Sequence, residues 1–299
     1  MKKKLIFRGV ATALITPMRS GKINYEALSD IIEMQISSGV PALVVGGTTG
    51  EAATLSDSER YQLYTYTKAK VKGRVKLIFG AGTNDTEVAI KHAESAELIG
   101  GDGILVVTPY YNKGTFRGVC EHYKRIASST SLPLILYNVP SRTGVNLTIG
   151  QIEELLECEN IVGIKEAGDS ADRLSHLSLF SDRLAFYAGN DSQTYSVCAL
   201  GGDGVISVAS NLYPERMNAI CNAVFSGNYE EGLKIQKDML GFIHSIFLET
   251  NPAPIKYAMS CHGLSSEEVR LPLYIPEKST RDAVSYEMQR LMEKGIIPG

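Results

Sequence analysis

Eight short runs of apolar and β-branched residues recur along the chain, and each is followed by a stretch whose apolar positions repeat at helical spacing. The runs lie near Val10–Ile15, Ala42–Val45, Lys76–Phe79, Gly103–Val107, Leu134–Asn138, Ile161–Lys165, Ala185–Ala188 and Gly204–Val208. They are mostly apolar throughout rather than alternating, the pattern of strands covered on both faces. The intervening pattern predicts helices near Tyr25–Ser37, Ser56–Lys70, Thr86–Ile99, Phe116–Ser129, Ile149–Leu156, Ala171–Phe180, Ser192–Leu200 and Pro214–Phe225. Ser56 and Glu59 have capping-box spacing at the start of the second. Eight strand–helix pairs in succession predict an α/β protein of the (β/α)8 TIM-barrel type. A doubly wound open sheet competes with it. No Gly-x-Gly-x-x-Gly follows the first run, however, and no break in the spacing marks a reversal of strand order.

The barrel is expected to occupy residues 1–227. Residues 228–299 carry no strand pattern and read as three helices punctuated by Asn251-Pro252-Ala253-Pro254 and Leu271-Pro272-Leu273. They are expected to pack on the barrel as a helical extension.

The function classes open to such a chain narrow with its charge. At 299 residues, 44% hydrophobic and 21% charged, it can bury one large core without staples. A net charge of -3 gives no electrostatic reason to expect nucleic acid or an acidic membrane as partner. Small anionic substrates remain open, because a site needs only one or two local cations. The five cysteines (Cys120, Cys158, Cys198, Cys221, Cys261) are widely spread and form no Cys-x-x-Cys. The basic start Met1-Lys2-Lys3-Lys4 resembles a secretory leader until Arg8 and Pro17 interrupt it. These features predict a cytoplasmic protein, and no run is apolar enough to span a bilayer. The five histidines show no metal-binding spacing, so no metal is expected.

Reactive groups of a TIM barrel sit where strands end and loops begin. Four such places carry polar residues. Lys165 ends the sixth run. An amine kept dry there is disfavoured in its charged form, and the neutral amine is what attacks a ketone; the alternative is a lysine whose stem carries its head to solvent. Tyr137 and Arg142 follow the fifth run, a phenol able to move protons and a guanidinium fork suited to a carboxylate. Each could equally be a core aromatic or a solvated charge. Gly46-Gly47-Thr48-Thr49-Gly50-Glu51 follows the second run; its backbone N–H groups and hydroxyls suit a carboxylate, and it lacks the Gly-Lys-Ser/Thr of a phosphate loop. Tyr110 and Tyr111 close the fourth run and point opposite ways, so that one could enter the mouth and the other an interface. An amine, a proton shuttle, carboxylate binders and hydroxyls together suit a keto acid.

The segments Gly47–Glu51, Thr108–Lys113, Tyr137–Gly144, Gly163–Ala167 and Gly204–Ser207 resemble those of the dihydrodipicolinate synthase family, as do Asn251-Pro252-x-Pro254-x-Lys256 and Arg270-Leu271-Pro272-Leu273. The resemblance covers most of the barrel and reaches the tail. It implies a Schiff-base-forming lyase that joins pyruvate to L-aspartate 4-semialdehyde without a cofactor. In that scheme Lys165 forms the imine, and Tyr137, Thr48 and Tyr111 relay protons, Tyr111 coming from the partner of a dimer. Thr49 and the backbone of Ile206 hold pyruvate's carboxylate, and Arg142 docks that of the aldehyde. A homo-oligomer, dimer or tetramer, is implied. N-acetylneuraminate lyases and keto-deoxy-sugar-acid aldolases share the lysine and tyrosine, but Arg142 and the Thr48-Thr49 pair favour the synthase. Lysine-sensitive relatives carry histidines and a glutamate where Asp57, Arg60 and Val88 stand. Weak or absent inhibition by lysine is therefore expected, with Arg60 repelling the ligand.

Overall fold

The computed structural model describes residues 3–297. Eight strands form a closed, wholly parallel barrel in which each pairs with its neighbours in sequence and the last returns to the first. They are β1 (Gly9–Ala13), β2 (Ala42–Val45), β3 (Lys76–Gly80), β4 (Gly103–Val107), β5 (Leu134–Asn138), β6 (Ile161–Glu166), β7 (Ala185–Ala188) and β8 (Gly204–Ser207). The surrounding helices are α1 (Tyr25–Ser37), α2 (Asp57–Val71), α3 (Thr86–Ile99), α4 (Phe116–Ser128), α5 (Ile149–Leu155), α6 (Ala171–Ser178), α7 (Thr194–Ala199) and α8 (Pro214–Phe225). The expected TIM barrel is therefore the observed one.

Differences from the sequence pattern have local causes. β1 stops at Ala13 although the apolar run continues, because the Ile15 N–H turns to the Asn211 side chain at 3.0 Å. Ser56 lies outside α2 as its cap: its hydroxyl accepts from the Glu59 N–H while the Glu59 carboxylate accepts from the Ser56 N–H. A 3-10 turn at Asp191–Gln193 takes the place of the expected first turn of α7. The antiparallel ribbon Met18–Arg19 with Lys22–Ile23, and the single helical turn Pro140–Thr143, are too short to leave a periodic signal.

Alternation along each strand divides the core in two. One set packs outward against the helices and the other fills the barrel lumen, where Ala11, Ala42, Val44, Ile78, Leu105, Ile135, Tyr137, Ala185, Tyr187 and Ile206 meet. The floor is closed by the Phe7 ring stacked on Tyr187 at 4.3 Å, with the Tyr187 hydroxyl donating to the Phe7 carbonyl at 2.8 Å.

After the barrel come α9 (Tyr229–Ser245), α10 (Ala253–Cys261) and α11 (Lys278–Glu293). Helix α9 packs beside α8 and α11, and α10 lies against α11 and the turn that follows β8. The α9–α10 junction thus lies against the barrel mouth. Among the described residues no helix is long and apolar enough to cross a membrane.

Candidate active site

Lys165 is the next-to-last residue of β6 and stands in register between Tyr137 on β5 and Tyr187 on β7. Side chains in register on parallel neighbours face the same way, so the amine enters the lumen with the phenol beside it. Lys165 is 4% exposed and Tyr137 6%, and the Lys165 Nζ lies 4.2 Å from the Tyr137 ring centroid. Its long stem could have carried the head to water; the strand's inward phase prevents it.

Behind this pair, the outward phase of the same strands holds the wall in place. Glu166 is fully buried and its carboxylate accepts from Asn138 Nδ2 at 2.8 and 3.0 Å, from the Gly168 N–H at 2.8 Å and from Arg173 Nε at 2.6 Å. Arg173 also donates to the Leu147 carbonyl at 2.6 Å. The ends of β5 and β6 are therefore tied to one carboxylate, and amine and phenol cannot shift independently. Beyond β7, Asp191 is buried and accepts from the Ser207 hydroxyl, from the Val208 N–H at 2.9 Å and from the Ala209 N–H at 3.3 Å. Burial raises its carboxyl pKa, opposed by those hydrogen bonds and by the charge of Lys165. Asp191 thereby fixes the chain just past Ile206, which is buried on the inner wall of β8.

The glycine-rich loop folds onto itself through the Gly50 N–H to Gly47 carbonyl and Glu51 N–H to Thr48 carbonyl bonds, both 3.1 Å. Gly46 has φ +64, and a Cβ there would collide with the Tyr64 hydroxyl, so the close turn requires glycine. Thr48 is half-buried; Thr49 is buried, and its hydroxyl oxygen accepts from Asn251 Nδ2 at 3.0 Å. The next residue but one, Glu51, is buried in the left-handed region at φ 57. Its carboxylate pairs with the ammonium of Lys256 and accepts from the Arg270 N–H at 2.9 Å. Burial lowers the Lys256 pKa, and Glu51 opposes that shift. The helical extension thus grips the loop at two of its residues.

Arg142 is exposed on the turn Pro140–Thr143 and donates from Nη2 to the Asn251 carbonyl at 3.3 Å. Tyr111 does not join the site within one chain: it is 91% exposed with φ 70, whereas Tyr110 is half-buried. The Arg60 guanidinium is buried and donates to the carbonyls of Ala52 at 2.9 Å and Gly80 at 3.1 Å, which fix it against the backbone behind the loop.

One chain therefore brings Lys165, Tyr137, Thr49 and Ile206 to the barrel mouth, sets Thr48 and Arg142 around it, and leaves Tyr111 outside. Sequence reasoning assigned no role to Asn251, Lys256, Asp191, Glu166 or Arg173. The Asn-Pro-x-Pro-x-Lys motif is visible in the sequence, but Thr49 and Glu51, which it meets, lie about two hundred residues away in the chain. Among the described residues no cluster of three or more His, Cys, Asp or Glu side chains could hold a metal ion.

The model of the dihydrodipicolinate synthetase family matches residues 6–291. The 4-hydroxy-tetrahydrodipicolinate synthase of Clostridium novyi is 44% identical over 285 residues, which cover 95% of this chain and 96% of the relative. That of Thermotoga neapolitana is 44% identical, covering 92% and 95%. Among solved structures, dihydrodipicolinate synthase from Thermotoga maritima superposes with a TM-score of 0.94 at 40% identity, covering 98% of this chain and all (100%) of that one. The 4-hydroxy-tetrahydrodipicolinate synthase of Methylacidiphilum fumariolicum also gives 0.94, at 38% identity with 96% and 97% covered. With a family match across the barrel and into the last helix, and relatives this similar over nearly their whole length, the chain belongs to the dihydrodipicolinate synthetase family.

Proposed function

We propose that this chain condenses pyruvate with L-aspartate 4-semialdehyde through an imine on Lys165, giving 4-hydroxy-tetrahydrodipicolinate on the route to diaminopimelate and lysine. The observation that carries the proposal is the dry Lys165 amine at the barrel mouth, 4.2 Å from the ring of the Tyr137 phenol. It is supported by relatives named 4-hydroxy-tetrahydrodipicolinate synthase over nearly the full chain.

The neutral amine adds to the pyruvate ketone, and Tyr137 passes the protons that allow water to leave. The imine then draws electrons from the pyruvate methyl, which loses a proton and becomes an enamine carbon. That carbon attacks the aldehyde, and the aldehyde takes up the proton as a hydroxyl. The substrate's own amine finally adds to the imine carbon, closing the ring and releasing Lys165. Thr49 and the Ile206 backbone hold the pyruvate carboxylate, and Arg142 holds that of the second substrate. Thr48 and Tyr111 extend the proton path from Tyr137 to solvent. The active form is a homo-oligomer, a dimer or a dimer of dimers, in which a partner's Tyr111 reaches the site, a reading supported by the exposure of Tyr111 on its own chain. Five free thiols suit the reducing cytoplasm as its place of work.

The test is a steady-state condensation assay with both substrates. Wild type should turn over pyruvate with aspartate semialdehyde, and Tyr137→Phe should lose about 100-fold or more in kcat, the scale of a missing general acid–base group. Equal rates for the two proteins would refute the role of the phenol.

A further inference from the structure

Asn251, outside the barrel, touches both groups proposed to bind the two substrate carboxylates. Its side-chain amide donates to the Thr49 hydroxyl oxygen at 3.0 Å, and its main-chain carbonyl accepts from Arg142 Nη2 at 3.3 Å. The residue is buried, at the end of the connection from α9 to α10, two residues before α10 begins. Its remaining side-chain polar atom, Oδ1, is also buried and has no partner among the described residues.

This pattern is uneven in a telling way. Buried amides generally have both ends satisfied, because an orphaned acceptor loses its hydration without return. Asn251 instead directs its side-chain N–H to Thr49 while its side-chain Oδ1 goes unmatched. A hydroxyl that accepts from an amide N–H has its own proton free to point elsewhere. The Thr49 hydroxyl donates to no described side chain or carbonyl, so its O–H is available to an anion at the mouth. Lys256 anchors the segment that follows through its ion pair with Glu51 and by donating to the Glu268 carbonyl at 2.8 Å, which keeps the asparagine in place.

We propose that Asn251 is a positioning residue: it aims the Thr49 hydroxyl proton at the pyruvate carboxylate and holds Arg142 at the distance of the second carboxylate. The inference rests on the imine chemistry proposed above and adds to it that the helical extension sets substrate affinity. It also fixes a polarity. The amide must present N–H, not oxygen, to Thr49.

Asn251→Asp tests this directly, because aspartate keeps the shape and replaces the donor with an acceptor. That acceptor would capture the Thr49 proton and place negative charge beside the carboxylate site. Asn251→Ala removes the donor without adding charge. Pyruvate dependence of borohydride trapping on Lys165 is the readout, with KM for each substrate measured alongside and circular dichroism as a fold control. For Asn251→Ala the half-saturating pyruvate concentration should rise about tenfold, the scale of one hydrogen bond to a charged ligand. For Asn251→Asp it should rise by a further factor of about ten or more. Both variants should show a larger fall in kcat/KM than in kcat. Equal shifts in the two variants would mean that the residue only packs the loop, and wild-type affinity in Asn251→Asp would overturn the proposal outright. Failure of wild type itself to trap pyruvate would instead refute the imine, and this inference with it.

Discussion

Lys165 and Tyr137 sit 28 positions apart in sequence yet face one another because β5 and β6 pair in register. Each lies near the end of its strand, where barrel chemistry is confined, and the shared inner wall makes the two one site. The opposite case is His122, a titratable residue with no part in the chemistry. It is buried on α4, its Nδ1 bonded to the Thr86 hydroxyl at 2.9 Å and its Nε2 without a partner among the described residues. Burial lowers its pKa from the usual 6.5 to about 4, against the raising effect of Asp85. Between those values the unfolded chain binds the proton and the folded one does not, so stability rises with pH across the window. This contribution is complete above about pH 6.5 and is lost as the pH falls toward 4, on the order of 3 kcal/mol in all. In urea titrations at stepped pH, His122→Gln should flatten that part of the profile; an unchanged slope would show that other groups cause it.

At the scale of elements, the loop after β2 and the α9–α10 junction behave as one piece. Glu51 and Lys256 form a fully buried ion pair, and such pairs destabilise sharply when one partner is removed, because the other charge is stranded. Lys256→Met should lower unfolding free energy by about 3–5 kcal/mol, and adding Glu51→Gln should recover part of that loss. A single variant as stable as wild type would mean that water reaches the carboxylate. These contacts also show where sequence reading reaches its limit. The barrel was legible because eight continuous apolar runs have few other ways to be covered on both faces. Lys165, Tyr137 and the threonine loop were legible because barrel chemistry is confined to strand ends. The grip of Lys256 on Glu51, the carboxylate of Glu166 behind the catalytic wall and the buried Asp191 were not, since none follows from periodicity. Each depends on tertiary neighbours that only the closed barrel brings together.

For the whole molecule, the telling side chain is the one facing away. Tyr111 projects from a left-handed backbone position into open space, which suits a group delivered to a second subunit. Lys165→Ala and Tyr111→Phe should each be severely impaired alone. If they are dissociated together and reassociated, mixed dimers contain one complete site each, so activity should return to about a quarter of wild type for random pairing. No recovery would place Tyr111 in its own chain's site or outside the mechanism altogether. The claim beneath all of this is covalent, and one mass measurement reaches it. Wild type and Lys165→Ala, each treated with pyruvate and borohydride, are digested and mapped by mass spectrometry. The account predicts a single reduced pyruvyl adduct on the peptide containing Lys165 and none in the variant. An unmodified wild type, or the same adduct on another lysine, would contradict it.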